Sequence, residues 1–461
     1  MASITNLGST TGLPLEEILT KLQAAEDKKL SLYTTRQASY EARVSAFGQI
    51  QSAVEAVQKA AEALGKNSVL DAVKANVSGN GLTATVGTDG ATMGEYSIKV
   101  NKLATAHTLQ SGLVADRKAF NGATGSFTIE LTNGETRTID LKNDTSLNGI
   151  ASAINSDDKV GVRASIINDG SGNSYLMLSA KDTGEQASVK SITVTGDQKL
   201  KDILNYNTDP ADLNPKMAQQ TVPVDAEIEV NGIPIKSGSN SISTAIDGVT
   251  LNLTATTEAG KTVTLKLESD TSVASKAVQE FVTAYNSLQN TIAKHTAFDV
   301  VAETNQALTG DATTRSIQST MSNALRVVTS EGTLRSLADL GVTLDPKTGT
   351  LKVDQKQLDK ALVENPADVK RIMTSTNGLT AQFTAAAKSM LGDNGSIKIR
   401  QEGLTESIKD VKDQLTRAKA SSDASMATMR AQFVALEKFV SQQTATANYL
   451  TQQFAALSKS K

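Results

Sequence analysis

Apolar residues recur every three or four positions at both ends of the chain and every second position in between. From Leu15 to Leu64 there is no proline and one glycine, Gly48. Leu30, Tyr33, Tyr40 and Val44 share a line with Gln37, and from Phe47 the line re-registers through Ile50, Val54, Val57, Ala61 and Leu64. Such alternation is the seam of a coiled coil or the stripe of an amphipathic helix. Gly65, Lys66 and Asn67 then read as a helix stop. After Asp270 a helical stripe returns at Val278, Phe281, Tyr285, Leu288 and Ile292, and a second runs through Ile317, Met321, Leu325 and Val328. "GVTLDPKTGTLKVD" predicts a hairpin turning at Asp345-Pro346 and Gly349, followed by short helices in "QKQLDKALVE" and "PADVKRIM". From Leu404 the pattern is helical only. Leu404, Ile408, Val411, Leu415 and Ala418 lead to an interruption at Ser421, Ser422 and Ser425. Met429, Phe433, Leu436, Val440, Gln443, Ala447, Leu450, Phe454 and Leu457 then resume the stripe.

Between about Val69 and Leu267 the period is two: "YSIKV", "SFTIEL", "TRTIDL", "VRASII", "YLMLSA", "SITVTG", "AEIEV", "VTLNLTA" and "KTVTLKL". Turn signals such as "TNGE", "NDGSGN", "DTGE" and "VNGI" separate these runs. A weak internal repeat starts near Phe127 and again near Ala226, each copy reading as two strands around Asn-Gly and then a short helix at a Ser/Thr. "NYNTDPADLNPKMAQQTVPVD" holds three of the chain's seven prolines and reads as the connection between the copies. The expected fold is therefore α+β and multidomain, with long terminal coiled-coil helices, a helical domain and two inserted β-rich subdomains. The boundaries that follow are 1–42 paired with 400–461 as a coiled-coil leg, and 43–70 with 272–399 as a helical domain. A first β-rich head takes 71–105 and 205–271, and a second, inserted one takes 106–204.

Composition narrows the function. The 461 residues carry 39% hydrophobic and 21% charged residues, enough for packed cores. Aromatics are 3% and tryptophan is absent, which disfavours sugar- or base-stacking surfaces. A formal net charge of −3 lacks the basic stripe of a nucleic-acid binder. No apolar run approaches the roughly 18–20 residues that cross a bilayer, so no membrane insertion is expected. "MASITNLGSTTGLPLEEIL" does not read as a Sec signal. With no cysteine, disulfides and thiolate chemistry are excluded.

Candidate chemistry is thin. His107 and His295 are far apart in sequence, and without Cys a zinc site would need carboxylates for most ligands. No nucleotide-binding loop, nucleophile elbow or zincin motif is present. "NDGSGN" sits between β runs and reads as a hairpin turn. "LDPKTGTLKVD" lacks the ligand alternation of a calcium loop. Neither catalytic residues, cofactors nor metals are expected. For the terminal stripes the plain alternative is an amphipathic helix lying on its own domain. A membrane-surface helix would want clustered Lys/Arg on the polar face, and here that face holds Gln, Thr and Ser.

Several blocks, in one order, carry a resemblance. These are "NLGSTTGLPLEEILTKLQAAEDKKL", "GSNSISTAIDGVTLNLTATTEAGKTVTLKLESD" followed by "FVTAYNSLQNTI", "ALTGDATTRSIQSTMSNAL", "SLADLGVTLDPKTGTLKVDQKQLDKALVENPADVKRIM" and "MRAQFVALEKFVSQQTATANYLTQQFAAL". Over nearly the whole length the chain resembles the flagellar filament cap family, also called flagellar hook-associated protein 2. "TSLNGIASAINSDDKVGVRASIINDGSGNSYLMLSAKDTG" resembles a motif shared by flagellin and hook-associated proteins. The resemblance implies a non-enzymatic, extracellular assembly factor on the filament tip, exported by the flagellar type III pathway without a cleaved signal. It implies a ring-like homo-oligomer, expected as a pentamer, that retains flagellin and promotes its folding and polymerisation. Its other implied partners are the hook-associated junction protein and a cytosolic export chaperone on the C-terminal helix. The stripe expected to serve assembly and the chaperone is Leu30, Tyr33, Tyr40, Val44, Leu404, Ile408, Val411, Leu415, Met429, Phe433, Leu436, Val440, Leu450, Phe454 and Leu457. Alternatives are a hook–filament junction protein, a secreted adhesin binding host surfaces through the β middle, and, with least support, an enzyme.

Overall fold

The computed structural model describes residues 7, 12, 14–122, 124–141, 144–209, 216–300 and 304–459, apart from the side chains at 299 and 457–459. The chain divides into two compact units, one formed by 1–70 with 272–461 and the other by 71–271.

The first unit is helical. Its first helix, Leu15–Leu64, and its last, Ser396–Lys459, are both uninterrupted. Between them come helices Thr271–Thr296, Ala312–Ala324, Gln355–Glu364, Pro366–Thr374 and Leu379–Leu391, and a hairpin of Val342–Leu344 with Leu351–Val353. The core takes the whole stripe Phe47, Ile50, Val54, Val57, Ala61 and Leu64 and sets it against Val278, Phe281, Tyr285, Leu288, Ile292 and Phe383. Phe281 and Phe383 meet edge to face at 5.0 Å, the geometry that aromatic quadrupoles prefer. Each such side chain, fully buried, contributes about 1.5–3 kcal/mol.

Local chemistry sets the boundaries. Asp311 caps the helix Ala312–Ala324 by accepting from Thr314 N, and Asp354 caps Gln355–Glu364 through Gln357 N. The second sequence-predicted helix is shorter than its stripe: it stops at Ala324, leaving Val328 exposed and Val327 buried. In the hairpin turn the Asp345 carboxylate accepts from Lys347 N and Thr348 N and pairs with Lys352 Nζ at 2.8 Å. These contacts lower its pKa to about 2.

The second unit is β-rich and has two cores. One lies between an antiparallel five-stranded sheet and a three-stranded sheet. In spatial order the first runs Val73–Ser78, Val263–Ser269, Gly94–Lys102, Ala226–Val230 and Ile233–Ser237; the second runs Ser241–Ile246, Val249–Leu253 and Leu82–Val86. Alternation is strict: Val263, Leu265 and Leu267 point inward, while Lys266 and Glu268 pair outside at 3.2 Å. The other core fills two four-stranded sheets. Tyr206–Asn207, Val189–Gly196, Gly125–Leu131 and Thr136–Leu141 form one; Ala218–Thr221, Thr108–Gln110, Ser174–Ala180 and Val162–Asn168 form the other. Helices Leu147–Ser156 and Gln198–Leu204 complete it.

Two details differ from the sequence reading. Residues 205–209 and 216–221, assigned there to the first head, hydrogen-bond into the inserted sheets, and Tyr206 and Met217 are buried in that core. The repeat also breaks down after its hairpin. Ser146 caps a helix through Gly149 N, whereas Ser241–Ile246 alternates β-branched side chains and stays a strand, turned at Gly248 with φ +75°. In the described residues no helix is long and apolar enough to cross a membrane.

Candidate assembly surface

The first and last helices pack antiparallel. Leu15 and Leu19, with Leu7, form a small cluster against Met426, Met429, Phe433 and Val434. At the other end Phe47 and Ile50 share the main core with Ile397 and Leu404, and Tyr40 and Val44 pack against it. The middle is loose. From Thr20 to Ser45 no side chain of the first helix is buried, and Leu30 and Tyr33 are only half covered. On the last helix Val411 is buried, and Ile408 and Leu415 are half-buried. The buried Ser422 Oγ and Glu16 Oε2 have no hydrogen-bond partner among the described residues, and each such atom weakens the contact. An open cleft of about 540 Å³ runs between the helices beside Glu16, Gln23, Asp27, Met426 and Arg430.

The C-terminal stripe splits. Met429, Phe433 and Val440 lie in or beside the covered face, but Leu436, Leu450 and Phe454 are 42%, 49% and 68% exposed. The first helix therefore brings together one part of the predicted residue set and leaves these three outside; the side chain of Leu457 lies outside the described residues. A helix turns about 100° per residue. Taking Phe433 as origin, the covered residues Met426, Met429, Val434, Glu437 and Val440 centre within roughly 20° of it. Leu436, Phe439, Gln443, Leu450 and Phe454 centre about 100° away. Phe439 is 57% exposed and was missed on sequence. The three-residue step from Phe433 to Leu436, repeated to Phe439, is the signal that the line changes face.

The histidines are structural. His107 is buried: its Nδ1 accepts from Val189 N at 3.1 Å and its Nε2 lies 3.5 Å from the Tyr206 hydroxyl. Burial lowers the His107 pKa and raises that of Tyr206. His295 Nε2 meets Gln49 Oε1 at 2.9 Å, linking two helices of the first unit, and partial burial together with Lys294 lowers its pKa. Among the described residues no group of three or more His, Cys, Asp or Glu could hold a metal ion.

Long paired helices that enclose a helical core, with β-rich sequence inserted between them, define a multidomain α+β chain with an uncovered terminal helix face. The family profiles agree: "Flagellar hook-associated protein 2 N-terminus" matches residues 11–107 and "Flagellar hook-associated protein 2 C-terminus" matches 224–445. The flagellar hook-associated protein 2 of Escherichia coli (strain K12) is 34% identical over 475 residues, covering 100% of both chains. The B-type protein of Pseudomonas aeruginosa is 33% identical and covers 90% of this chain and 89% of its own. The chain belongs to the flagellar hook-associated protein 2 family, the flagellar cap family. A solved structure of the D1-D2-D3 domains of the Escherichia coli flagellar cap protein superposes with a TM-score of 0.66 at 33% identity, covering 78% of this chain and 99% of that one. A "Flagellin hook IN motif" matches residues 121–182, within the inserted β group.

Proposed function

We propose that this chain caps the distal tip of the flagellar filament as a ring-like homo-oligomer, a pentamer in the expected form, and acts without catalysis. It retains exported flagellin there and promotes its folding into the lattice. The paired segments 1–42 and 400–461 serve as the leg, 43–70 with 272–399 as the domain that carries it, and the two β groups as the head. The observation that carries this reading is the uncovered apolar face of the last helix. Leu436, Leu450 and Phe454 meet water there, at a cost that a partner surface removes. The solved Escherichia coli relative, a flagellar cap protein, supports the cap reading. Before export, a cytosolic chaperone covers the same helix by a helix-in-groove contact. At the base of a new filament the cap rests on the hook-associated junction protein.

The test uses the source bacterium with this gene deleted. Flagellin shed into the medium, bare hooks, and filament growth restored by added purified protein are the expected results. Normal filaments on the deletion strain would remove the capping role.

A further inference from the structure

We infer that the last helix has two separate seams, and that the second seam, Leu436 to Phe454, joins it to the same helix of a neighbouring copy while the first helix stays in place. This rests on the oligomeric reading above and specifies the contact. Leu436, Phe439, Gln443, Leu450 and Phe454, with Ala447 in line, step by three or four residues, which is a heptad pattern. All five of the large residues are exposed. They lie about 100° round the helix from the face that Leu15 and Leu19 occupy, so the two contacts do not compete.

The flanks identify the occupant. Between Phe439 and Ser458 there is no Asp, Glu, Lys or Arg; the polar positions are Gln, Thr, Ser and Asn. A seam built for a differently charged partner places complementary charges beside the apolar line. A seam between identical helices running the same way sets the g flank of one against the e flank of the other, and with neutral amides and hydroxyls on both flanks no such pair repels. In a ring, helices that lie along the rotation axis run in the same direction. Gln443 within the apolar line is a polar register marker of the sort that fixes alignment in such seams. The lack of Lys/Arg also argues against a lipid surface.

The cysteine-free chain allows a direct test. Full-length Phe439→Cys, Leu450→Cys and Tyr449→Cys variants are treated with a short bis-maleimide at a concentration where light scattering reports the oligomer. The 439 and 450 variants should each give same-residue dimers, several-fold above the 449 variant, which points off the seam. Adding Leu19→Asp, which opens the first seam, should leave the yield at 450 unchanged. A rise with Leu19→Asp would mean the two helices compete for one face and would overturn the two-seam inference. Dimers formed only on mixing the Phe439→Cys and Phe454→Cys variants would mean antiparallel joining and overturn the same-direction contact. An oligomer without cross-links at 450 would overturn the seam but leave the oligomeric cap standing; a monomer would overturn both. Loss of flagellin or vesicle binding in Leu450→Asp protein that still oligomerises would reassign the face to that partner.

Discussion

Asn286 and Leu351 hold each other by two hydrogen bonds: the Asn286 amide donates to the Leu351 carbonyl at 2.9 Å, and Leu351 N donates to Asn286 Oδ1. The side chain acts as one more strand residue and ties the helix Thr271–Thr296 to the hairpin. Asn155 does the same with Ala164, and Asn240 with Ala104. In all three an asparagine satisfies both polar groups of a residue more than eight positions away. Asn286→Asp keeps the shape and the acceptor but removes the donor, leaving the Leu351 carbonyl unmet. A loss of about 1–3 kcal/mol is expected, read as a lower urea midpoint with an unchanged m-value.

Gly184 sits at φ +94°, and a Cβ there would stand 2.5 Å from Gly238 Cα. The same joint between the two β groups is tied by Gly184 N to Thr105 O and by Glu185 N to the Asp225 carboxylate. Gly184→Val therefore meets both a left-handed backbone and another backbone with no room to yield. A cost of about 1–3 kcal/mol from the backbone conformation alone is expected. Proteolysis should find new cleavage near 183–186 and 222–225, while exchange protection of the helical core is unchanged.

Phe433 and Leu450 lie on one helix and should behave differently. Phe433→Asp puts a charge into the small cluster with Leu15 and Leu19, so amides of residues 15–27 should lose about tenfold or more of their exchange protection, equivalent to about 1.4 kcal/mol. Leu450→Asp acts on an exposed side chain and should leave that protection intact. The double variant should abolish capping with the cores still folded; loss of the core fold would refute the separation of leg from body.

Burial lowers the pKa of His107 below its ordinary 6.5 by disfavouring the charged ring. In the unfolded chain the ring takes up a proton as pH falls through 6.5, while the folded chain resists it. Stability from this group is therefore full above 6.5 and declines as pH drops below it. Thermal melts of the full chain between pH 8 and 5 should show the β-rich transition falling, and His107→Gln should flatten the dependence that this residue contributes.

The sequence was most legible where one face of one element is buried by one neighbour. Every apolar position from Phe47 to Leu64 in the stripe is buried, as are Val278 through Ile292, because the 3.6-residue period leaves no other arrangement. It was least legible where two partners share a helix. Met429, Phe433, Leu436 and Val440 fit one line on paper, yet the covered side turns toward Val434 and Glu437, and Leu436 falls outside it. Periodicity gives the spacing of a stripe, but a three-residue step can either continue a seam or begin a new one. The Ser241–Ile246 strand was misread for a related reason: two serines and a threonine offered helix caps, and cross-strand pairing with Val249–Leu253 decided otherwise. The link between 205 and 225 looked like an outer connection because of its prolines, and nothing local announces that Tyr206 and Met217 are buried.

The insertions are nested, and nesting sets an order of folding. The core around Leu176 and Ile192 uses only residues 109–217. The next, around Ile98 and Leu265, needs 82–267. The helical core must join Phe47 to Phe281 and Leu404, closing a loop of more than two hundred residues. Loop-closure entropy rises with each step outward, and contacts of such long range form slowly. A chain supplied from its N-terminus can finish the innermost β group while the outer helix still lacks its partners. The first helix is thus made early and buried late, and its apolar stripe remains open to other proteins throughout that interval.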